Sequence, residues 1–335
     1  MIDKVTLILI LHNRHKNLDR LLEYYDEYNF PILIADSSVQ EHQFTKKKSN
    51  WTYSYTPGVS FPKKIEIVLA QVTTPYVVMC ADDDFIIPKS ILACVSFLEE
   101  NKDYAIAQGL SIRYEKESLA RGNIELGAIY GHIKCIEPDE PLQRLYNMFE
   151  NYRAVVYAVF RTYVLQQSYQ GAGSQIKNLF LNEYITAFIP ILYGKCKEIP
   201  ILYQVREYAL DSDDKTAIDI DALLREKQYA NEVNVFKSFI STKMAAILMI
   251  SHKKAEDIVD KIIQDFASKI HIARTTISPK KRIGNLIRHL PIVGPWMIQK
   301  NRSIENAKRL NAYIDIHKEK KEIDVVSKLL IKYNK

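Results

Sequence analysis

Residues 77–88 read VVMCADDDFIIP, and this stretch decides the fold. Four apolar residues, the first two of them β-branched, run almost directly into three adjacent aspartates. A short apolar run bounded by charge is typical of a strand that is buried on both faces. Open α/β sheets bind ligands at the carboxyl ends of such strands, so the sequence places the aspartates at a ligand-binding edge.

The three aspartates, Asp82, Asp83 and Asp84, repel one another unless a cation lies among them. Mg²⁺ or Mn²⁺ with an attached diphosphate is the usual solution, because hard oxygen ligands suit these ions. The structural alternative is that Asp84 caps the next helix, with Pro88 in its first turn. A cap needs only one aspartate, so three in a row favour a metal or phosphate site.

Buried strands and helices alternate on both sides of this stretch. Predicted strands cover residues 5–11, 31–35, 51–55, 76–80, 104–114, 154–160 and 199–205. Predicted helices follow a cap at Asn17 and cover residues 63–72, 88–100 and 178–193. This order predicts an α/β fold with a mainly parallel sheet flanked by helices.

The pattern becomes helical after residue 217. We therefore predict a domain over residues 1–210, a linker over 206–216 and a helical, basic C-terminal extension over 217–335. An apolar content of 47% in 335 residues supports a sizeable core and argues against disorder.

The cysteines and the N-terminus favour a cytoplasmic protein. None of the four cysteines has a partner at the close spacing of a zinc site, which indicates a reduced protein. The apolar run at residues 5–11 precedes its basic residues, the reverse of the order in a signal peptide. No stretch approaches the roughly 20 apolar residues that a membrane helix needs.

The net charge of +6 is unevenly distributed. Residues 277–335 carry 14 Lys and Arg against 5 Asp and Glu, whereas the remaining chain carries 32 against 35. This excess predicts an anionic partner for the tail. We find no nucleic-acid recognition motif, so nucleic acid is not the expected partner.

Residues 280–298 combine basic and apolar side chains in a pattern typical of peripheral membrane attachment. One face of a short predicted helix is apolar, formed by Ile283, Leu286, Ile287 and Leu290. Trp296 follows in an apolar segment. The alternative is that this helix packs its apolar face on the domain and leaves its basic face in water.

Polar clusters follow the predicted strands. His12, Asn13 and Arg14 follow the first strand, Asp36 ends the second, and the aspartates end the fourth. Parallel strands bring these clusters to one edge, where a carboxylate can bind a ribose or base. Taken singly, Asp36 is equally compatible with a turn cap, and Arg14 with a solvated surface residue.

This order of motifs resembles the family 2 glycosyltransferases, which have the GT-A fold, a Rossmann-like architecture. The resemblance covers about residues 4–210 and rests on six motifs in the family's order. They are Leu11-His12-Asn13-Arg14, Ala35-Asp36-Ser37-Ser38, Lys63 or Lys64 before the aspartates, Phe160-Arg161-Thr162, Asn182-Glu183 ahead of Tyr193-Gly194-Lys195, and Tyr203-Gln204-Val205-Arg206-Glu207.

Two departures affect the predicted roles. The family commonly reads Asp-x-Asp-Asp with a proline four residues later, and aligning on Pro88 puts Ala81 at the first aspartate. The resemblance then assigns the metal, Mn²⁺ or Mg²⁺, to Asp83 and Asp84, while a working pair of Asp82 and Asp84 stays open. The family's acidic base pair is Asn182-Glu183 here, which leaves Glu183 as its only carboxylate.

The resemblance implies metal-dependent transfer of a sugar from a nucleotide-sugar donor, with inversion. It assigns donor binding to His12, Asn13, Arg14, Asp36, Lys64, Asp82 and Arg206, and the role of general base to Glu183. Glu183 is alternatively an ordinary acidic residue in the first turn of a helix. Arg206 is alternatively a simple partner of Glu207.

The implied acceptor is a glycan or a lipid-linked precursor of a bacterial-type surface polysaccharide, such as lipopolysaccharide or capsule. Two other hypotheses remain open. A nucleotidyltransferase also uses carboxylates and a metal, but the sequence has no Gly-rich phosphate loop after the first strand. A non-catalytic module that binds nucleotide sugars or docks on membranes is the other.

Overall fold

The computed structural model describes residues 1–115, 126–130, 135–150, 152, 154–176, 178–208, 219–275 and 316–334. The strands are β1 (Val5–Leu11), β2 (Ile32–Asp36), β3 (Trp51–Tyr55), β4 (Tyr76–Ala81), β5 (Phe85–Ile86), β6 (Tyr104–Glu115), β7 (Leu126–Tyr130), β8 (Val159–Arg161) and β9 (Lys195–Tyr208).

Helices flank the sheet and make up the C-terminal part of the chain. They are α1 (His15–Tyr24), α2 (Phe61–Leu69), α3 (Pro88–Glu100), α4 (Pro141–Glu150), α5 (Thr162–Tyr169), α6 (Ala172–Gln175), α7 (Leu179–Phe188), α8 (Pro190–Tyr193), α9 (Ile220–Arg225), α10 (Ala230–Leu248), α11 (His252–Thr275) and α12 (Ile316–Asn334).

The strands of the described ranges form one mixed sheet in the order β3-β2-β1-β4-β8-β6-β9-β5, with β7 beside β6. Its first four strands, β3, β2, β1 and β4, are mutually parallel, as predicted. The other half is mixed. There β6 and β9 are parallel, whereas β8 is antiparallel to β4 and β6, and β5 is antiparallel to β9.

Strand β1 shows why the sheet lies at the centre of the molecule. All seven of its residues are buried, and alternate side chains contribute to two different hydrophobic clusters. Leu7 and Leu9 belong to a cluster shared with α1, α3 and α12, whereas Ile8 and Ile10 belong to one shared with α2, α10 and α11. A strand with helices on both faces needs a continuous apolar run, which is the pattern of β1 and β4.

The C-terminal helices therefore pack on the α/β region. Phe236 of α10 and Val259 of α11 lie in the cluster that contains Ile8. Val326 and Leu330 of α12 lie in the other cluster. The predicted α/β sheet with a C-terminal helical part is confirmed, while residues 209–218, which include most of the predicted linker, lie outside the described residues, as do residues 280–298.

Three local predictions differ from the structure. Of the strand predicted over 154–160, only Val159 and Phe160 pair with the sheet, in a strand that ends at Arg161. The preceding apolar residues are buried next to a turn in which the Ala158 amide donates to the Val155 carbonyl, and an apolar run alone does not distinguish pairing from burial. Helix α1 begins before Asn17, with Arg14 at its N-cap. Residues 178–193 form two helices, α7 and α8, rather than one.

No helix of the described residues is long and apolar enough to cross a bilayer.

Candidate functional site

The carboxyl ends of β1, β2 and β4 lie side by side at one edge of the sheet. Leu11 is in register with Asp36, and Ile10 is in register with Ala81. The residues that follow each strand are therefore neighbours in space, although their positions in the chain differ by 25 residues or more. This is the edge at which open α/β sheets bind ligands.

Arg14 bridges two of the three consecutive aspartates. Its Nη1 lies 2.7 Å from Asp83 Oδ2 and 3.1 Å from Asp82 Oδ1. The Asp82 side chain is 7% exposed and that of Asp83 is 27% exposed. We call these three residues the Arg14 cluster; it forms the solvent-facing part of the site.

The burial of Asp82 has an electrostatic consequence. Desolvation, and after it the charge of Asp83, raises the pKa of Asp82 to about 7, while Arg14 opposes the shift. A carboxylate with this pKa gains from any additional positive charge placed beside it. Because two carboxylates share one guanidinium in the Arg14 cluster, its net negative charge favours an additional cation.

Asp84 faces the opposite way, into the protein. Its Oδ2 accepts hydrogen bonds from Gln204 Nε2 at 2.9 Å and Arg206 Nε at 3.2 Å. Its Oδ1 accepts one from the Glu207 amide at 3.2 Å. Desolvation raises the pKa of Asp84 and Arg206 opposes it. We call these four residues the Asp84 cluster.

These contacts bear on two sequence-based alternatives, the capping role of Asp84 and the partner of Arg206. Asp84 does not cap α3, since β5 intervenes and Ile87 is the N-cap residue of that helix. Arg206 contacts Asp84 and lies over the ring of Tyr157, with 5.4 Å from its guanidinium carbon to the ring centroid. Its side chain is thus held beside the aspartate loop.

The Asp84 cluster continues into a buried network that the sequence did not reveal. Glu207 Oε2 accepts a hydrogen bond from Tyr114 Oη at 2.5 Å and lies 3.6 Å from Arg20 Nη1. Arg20 Nη2 donates to the Asp82 carbonyl at 3.2 Å, and Arg20 is 3% exposed. An arginine between the apolar residues Leu18 and Leu21 of an amphipathic helix was the available indication of a buried role.

The turn after β1 is tied to the turn after β2. The Asn13 amide donates to Ser38 Oγ at 2.7 Å, and Asn13 Oδ1 accepts from the Val39 amide at 2.9 Å. His12 Nδ1 lies 3.1 Å from Ser37 Oγ. Asn13 has a left-handed backbone (φ 56°), which asparagine tolerates better than most residues. These contacts bring His12, Asn13 and Arg14 together at the edge, as predicted from the strand order.

Asp36 is fully buried and holds the turn that follows β2. Its Oδ1 accepts from the Ser38 amide at 2.7 Å, and its Oδ2 accepts from Tyr53 Oη at 2.6 Å. His15 Nε2 lies 3.6 Å from the same Oδ2. The turn-capping role considered for Asp36 is thus present, while its predicted contact with a nucleoside stays a prediction.

Lys64 lies buried beneath the ends of β1 and β2. It is 2% exposed, and its Nζ donates to the Leu11 carbonyl at 2.8 Å and to Ser37 Oγ at 3.0 Å. Desolvation lowers its pKa to about 8, and the carboxylates of Asp36 and Asp82 oppose the shift. A buried ammonium group thus places positive charge beneath the strand ends.

Glu183 lies in a second cluster, in the first half of α7. Its Oε1 accepts a hydrogen bond from Tyr152 Oη at 2.6 Å. Tyr152 contacts the rings of Phe149, Tyr184 and Phe266, with centroids 5.1 to 5.6 Å away. Because Phe266 belongs to α11, the C-terminal helices contribute directly to the surroundings of Glu183.

The residues present fit a metal only in part. Among the described residues, no group of three or more His, Cys, Asp and Glu side chains is arranged to hold a metal ion. Mg²⁺ commonly takes one or two protein carboxylates and completes its shell with substrate phosphates and water. Asp82 and Asp83 meet that requirement, whereas the oxygens of Asp84 already accept three protein hydrogen bonds.

Solved structures share this architecture. The chain is similar to residues 1–349 of S. aureus TarS in complex with UDP, at a TM-score of 0.52 and 12% identity, over 99% of this chain and 91% of that one. The complex of TarS 1–349 with UDP-GlcNAc gives a TM-score of 0.50 at 12% identity, with the same coverage. No protein-family model and no curated protein sequence matches the chain. At this identity, the likeness establishes a shared Rossmann-like α/β fold.

Proposed function

We propose that the protein is a glycosyltransferase that uses a nucleotide-sugar donor. The observation that carries this proposal is the Arg14 cluster, which sits at the ligand-binding edge of the parallel strands. The shared fold with a protein solved with UDP and with UDP-GlcNAc supports glycosyl transfer in general. The order of the motifs supports the finer assignment to a family 2, GT-A enzyme.

In this proposal the donor lies across the ends of β1, β2 and β4. His12 and Asn13 are exposed and supply hydrogen-bonding groups for the nucleoside. Buried Ser38 and Asp36 keep their turn in place. Lys64 and Arg14 supply positive charge where the diphosphate would lie. Arg206, which is 21% exposed, approaches the same loop from β9.

We assign the metal to the Arg14 cluster, with Asp83 as ligand and Asp82 beside it. Mn²⁺ or Mg²⁺, when bound, would neutralise the charge that develops on the departing diphosphate. Asp84 supports these ligands by fixing the loop to β9 rather than by binding the ion itself.

Glu183 is the proposed general base. A single carboxylate that removes the proton of the acceptor hydroxyl gives one displacement with inversion. The hydrogen bond from Tyr152 orients the Glu183 carboxylate.

The proposed acceptor is a glycan or lipid-linked precursor in the synthesis of a bacterial surface polysaccharide. This part rests on the resemblance and on the basic composition of the tail, in which residues 280–298 would contact an anionic membrane.

The test begins with the donor. Thermal shifts would be measured with UDP-, GDP-, CMP- and dTDP-sugars, each with and without Mn²⁺. One nucleotide is expected to stabilise the protein in a metal-dependent way, and Asp83→Ala is expected to remove the effect. Asp139→Ala is the matched control: its 92%-exposed side chain pairs with Lys195, at the opposite edge of the sheet.

Turnover of the donor that binds would then be followed by release of nucleoside diphosphate. Glu183→Gln is expected to lower this rate by about 100-fold or more while donor binding is retained. Binding without turnover, unaffected by Glu183→Gln, would instead indicate a non-catalytic module. Release of pyrophosphate from a nucleoside triphosphate and a sugar phosphate would indicate a nucleotidyltransferase.

A further inference from the structure

The guanidinium of Arg14 lies where a cation shared by Asp82 and Asp83 would lie. One nitrogen, Nη1, contacts both carboxylates, at 2.7 Å and 3.1 Å. A single positive group that bridges two carboxylates neutralises the repulsion between them. One guanidinium offsets only one of the two carboxylate charges, so Arg14 holds the pair together while leaving it with a net negative charge.

The backbone of Arg14 is held by the turn that follows β1. Arg14 is the N-cap residue of α1 and follows Asn13, whose left-handed backbone reverses the chain after β1. Asn13 is itself held to Ser38 and Val39. The backbone of Arg14 is thus anchored, while its side chain is 47% exposed.

The two partners of Arg14 differ from the partners of Arg206. Arg206 is paired with Asp84, whose side chain is 2% exposed, so release of that pair would leave a buried charge. Release of Arg14 would leave Asp82, whose side chain is 7% exposed, without its counter-charge unless another cation took its place. Because Asp83 and Arg14 are 27% and 47% exposed, a cation from solution can reach this pair. Arg14 can therefore leave its carboxylates in exchange for another cation.

We infer that Arg14 is an exchangeable counter-ion, which pairs with Asp82 and Asp83 when no donor is bound and transfers to the donor diphosphate when a divalent ion takes its place. This inference rests on the proposed function. The ion alone must displace Arg14 into water, whereas the ion together with a diphosphate offers the guanidinium a bidentate phosphate partner. The divalent ion and the nucleoside diphosphate must then bind cooperatively, each raising the affinity for the other by the same factor.

The experiment measures Mn²⁺ binding to the full chain by the electron paramagnetic resonance signal of free Mn²⁺, with and without UDP or the nucleoside diphosphate selected by the donor panel. Wild type is compared with Arg14→Gln, which removes the charge, and with Arg14→Lys, which keeps the charge but loses the planar fork. Lys16→Gln is the matched control, since it removes an exposed positive charge two residues away. Thermal unfolding confirms that each variant is folded.

In wild type the nucleotide is expected to tighten Mn²⁺ binding by about tenfold or more. Arg14→Gln is expected to bind Mn²⁺ alone about tenfold more tightly than wild type and to show a reduced enhancement by nucleotide. Arg14→Lys should lie between them, and Lys16→Gln should match wild type.

Two results would overturn the inference while leaving donor binding intact. One is nucleotide binding to wild type with Mn²⁺ affinity that is the same in wild type and Arg14→Gln. The other is an equal enhancement by nucleotide in both proteins. Failure of every nucleotide to bind wild type would contradict the proposed function itself, and the exchange with it.

Discussion

Asp83 and Asp84 are adjacent in the chain and chemically identical, yet they belong to two different kinds of cluster. Asp83 faces solvent and pairs with the half-exposed Arg14. Asp84 is buried and accepts hydrogen bonds from two side chains and one amide of β9. A buried carboxylate needs such partners, whereas an exposed one can exchange its partner for a ligand. One aspartate thus holds the loop and the other remains available for chemistry.

The largest expected difference between the two clusters concerns stability. Asp84→Ala should lower the free energy of unfolding by about 3–5 kcal/mol, because it leaves Arg206 and Gln204 without their buried acceptor. Asp83→Ala should cost about 1 kcal/mol or less. Urea denaturation of both variants measures the difference, and equal losses would show that the two aspartates are not divided in this way.

Lys64 extends the comparison to the cations, since it is buried while Arg14 is half-exposed. Its pKa of about 8 in the folded protein lies below the ordinary 10.5, so the folded state disfavours the charged form. The unfolded state binds more protons between these two values, so the contribution of Lys64 to stability should rise from about pH 8 to about pH 10.5.

The measurement compares the unfolding free energies of wild type and Lys64→Met across this range. The unfolding free energy of wild type should rise relative to that of Lys64→Met by up to about 3 kcal/mol as the pH rises through this range. Arg14→Met is the control and should show no such slope, because a guanidinium stays charged at these pH values. A flat difference for Lys64→Met would mean that its ammonium is solvated in the protein.

Asn13 fixes the backbone that carries the half-exposed side chain of Arg14. Asn13→Ala should destabilise the protein by about 1–2 kcal/mol, since it loses the bond to Val39 and replaces asparagine at φ 56° with a residue that tolerates the left-handed backbone less well. Asn13→Gly loses the same bond but tolerates the left-handed backbone, so it should cost about 1 kcal/mol less. Thermal and urea unfolding test this order, and a reversed order would contradict the role assigned to the backbone.

The smallest effect is expected at an exposed pair that resembles Arg14 and Asp83 in burial but lies away from the site. Lys332 Nζ of α12 lies 2.6 Å from Glu23 Oε2 of α1, and both side chains are more than a third exposed. Glu23→Gln should lower the free energy of unfolding by less than about 1 kcal/mol. The difference between this variant and wild type should shrink in 1 M salt. A larger, salt-independent loss would mean that α12 is held mainly by this pair rather than by Val326 and Leu330.

The elements that were predicted correctly are those with a local cause. Strands β1 to β4 follow continuous or alternating apolar runs, and α3 begins at Pro88 because proline suits the first turn of a helix. The prediction failed where a segment is buried but does not pair with a neighbouring strand. Val155 and Ala158 are buried like strand residues but lie outside any strand, because no neighbouring edge pairs with them.

The candidate site shows the same division. The order of strands was sufficient to bring His12, Asn13, Arg14, Asp36 and the aspartates to one edge, since parallel strands end together. The partners of Asp84 were not predictable in this way. Gln204 is 120 residues away in the chain, and its contact depends on how β9 runs past β5.

By itself, the sequence determined where the strands lie, which charges stand at their ends and that the chain builds a sheet covered by helices, because hydrophobic runs and their polar ends are local properties. Only the tertiary structure decided that Asp84 is buried against β9 and that Asp83 pairs with Arg14 near the surface. The physical reason is that the cost of burying a charge depends on partners supplied by distant segments, and identical neighbours in the chain meet different partners once the sheet has formed.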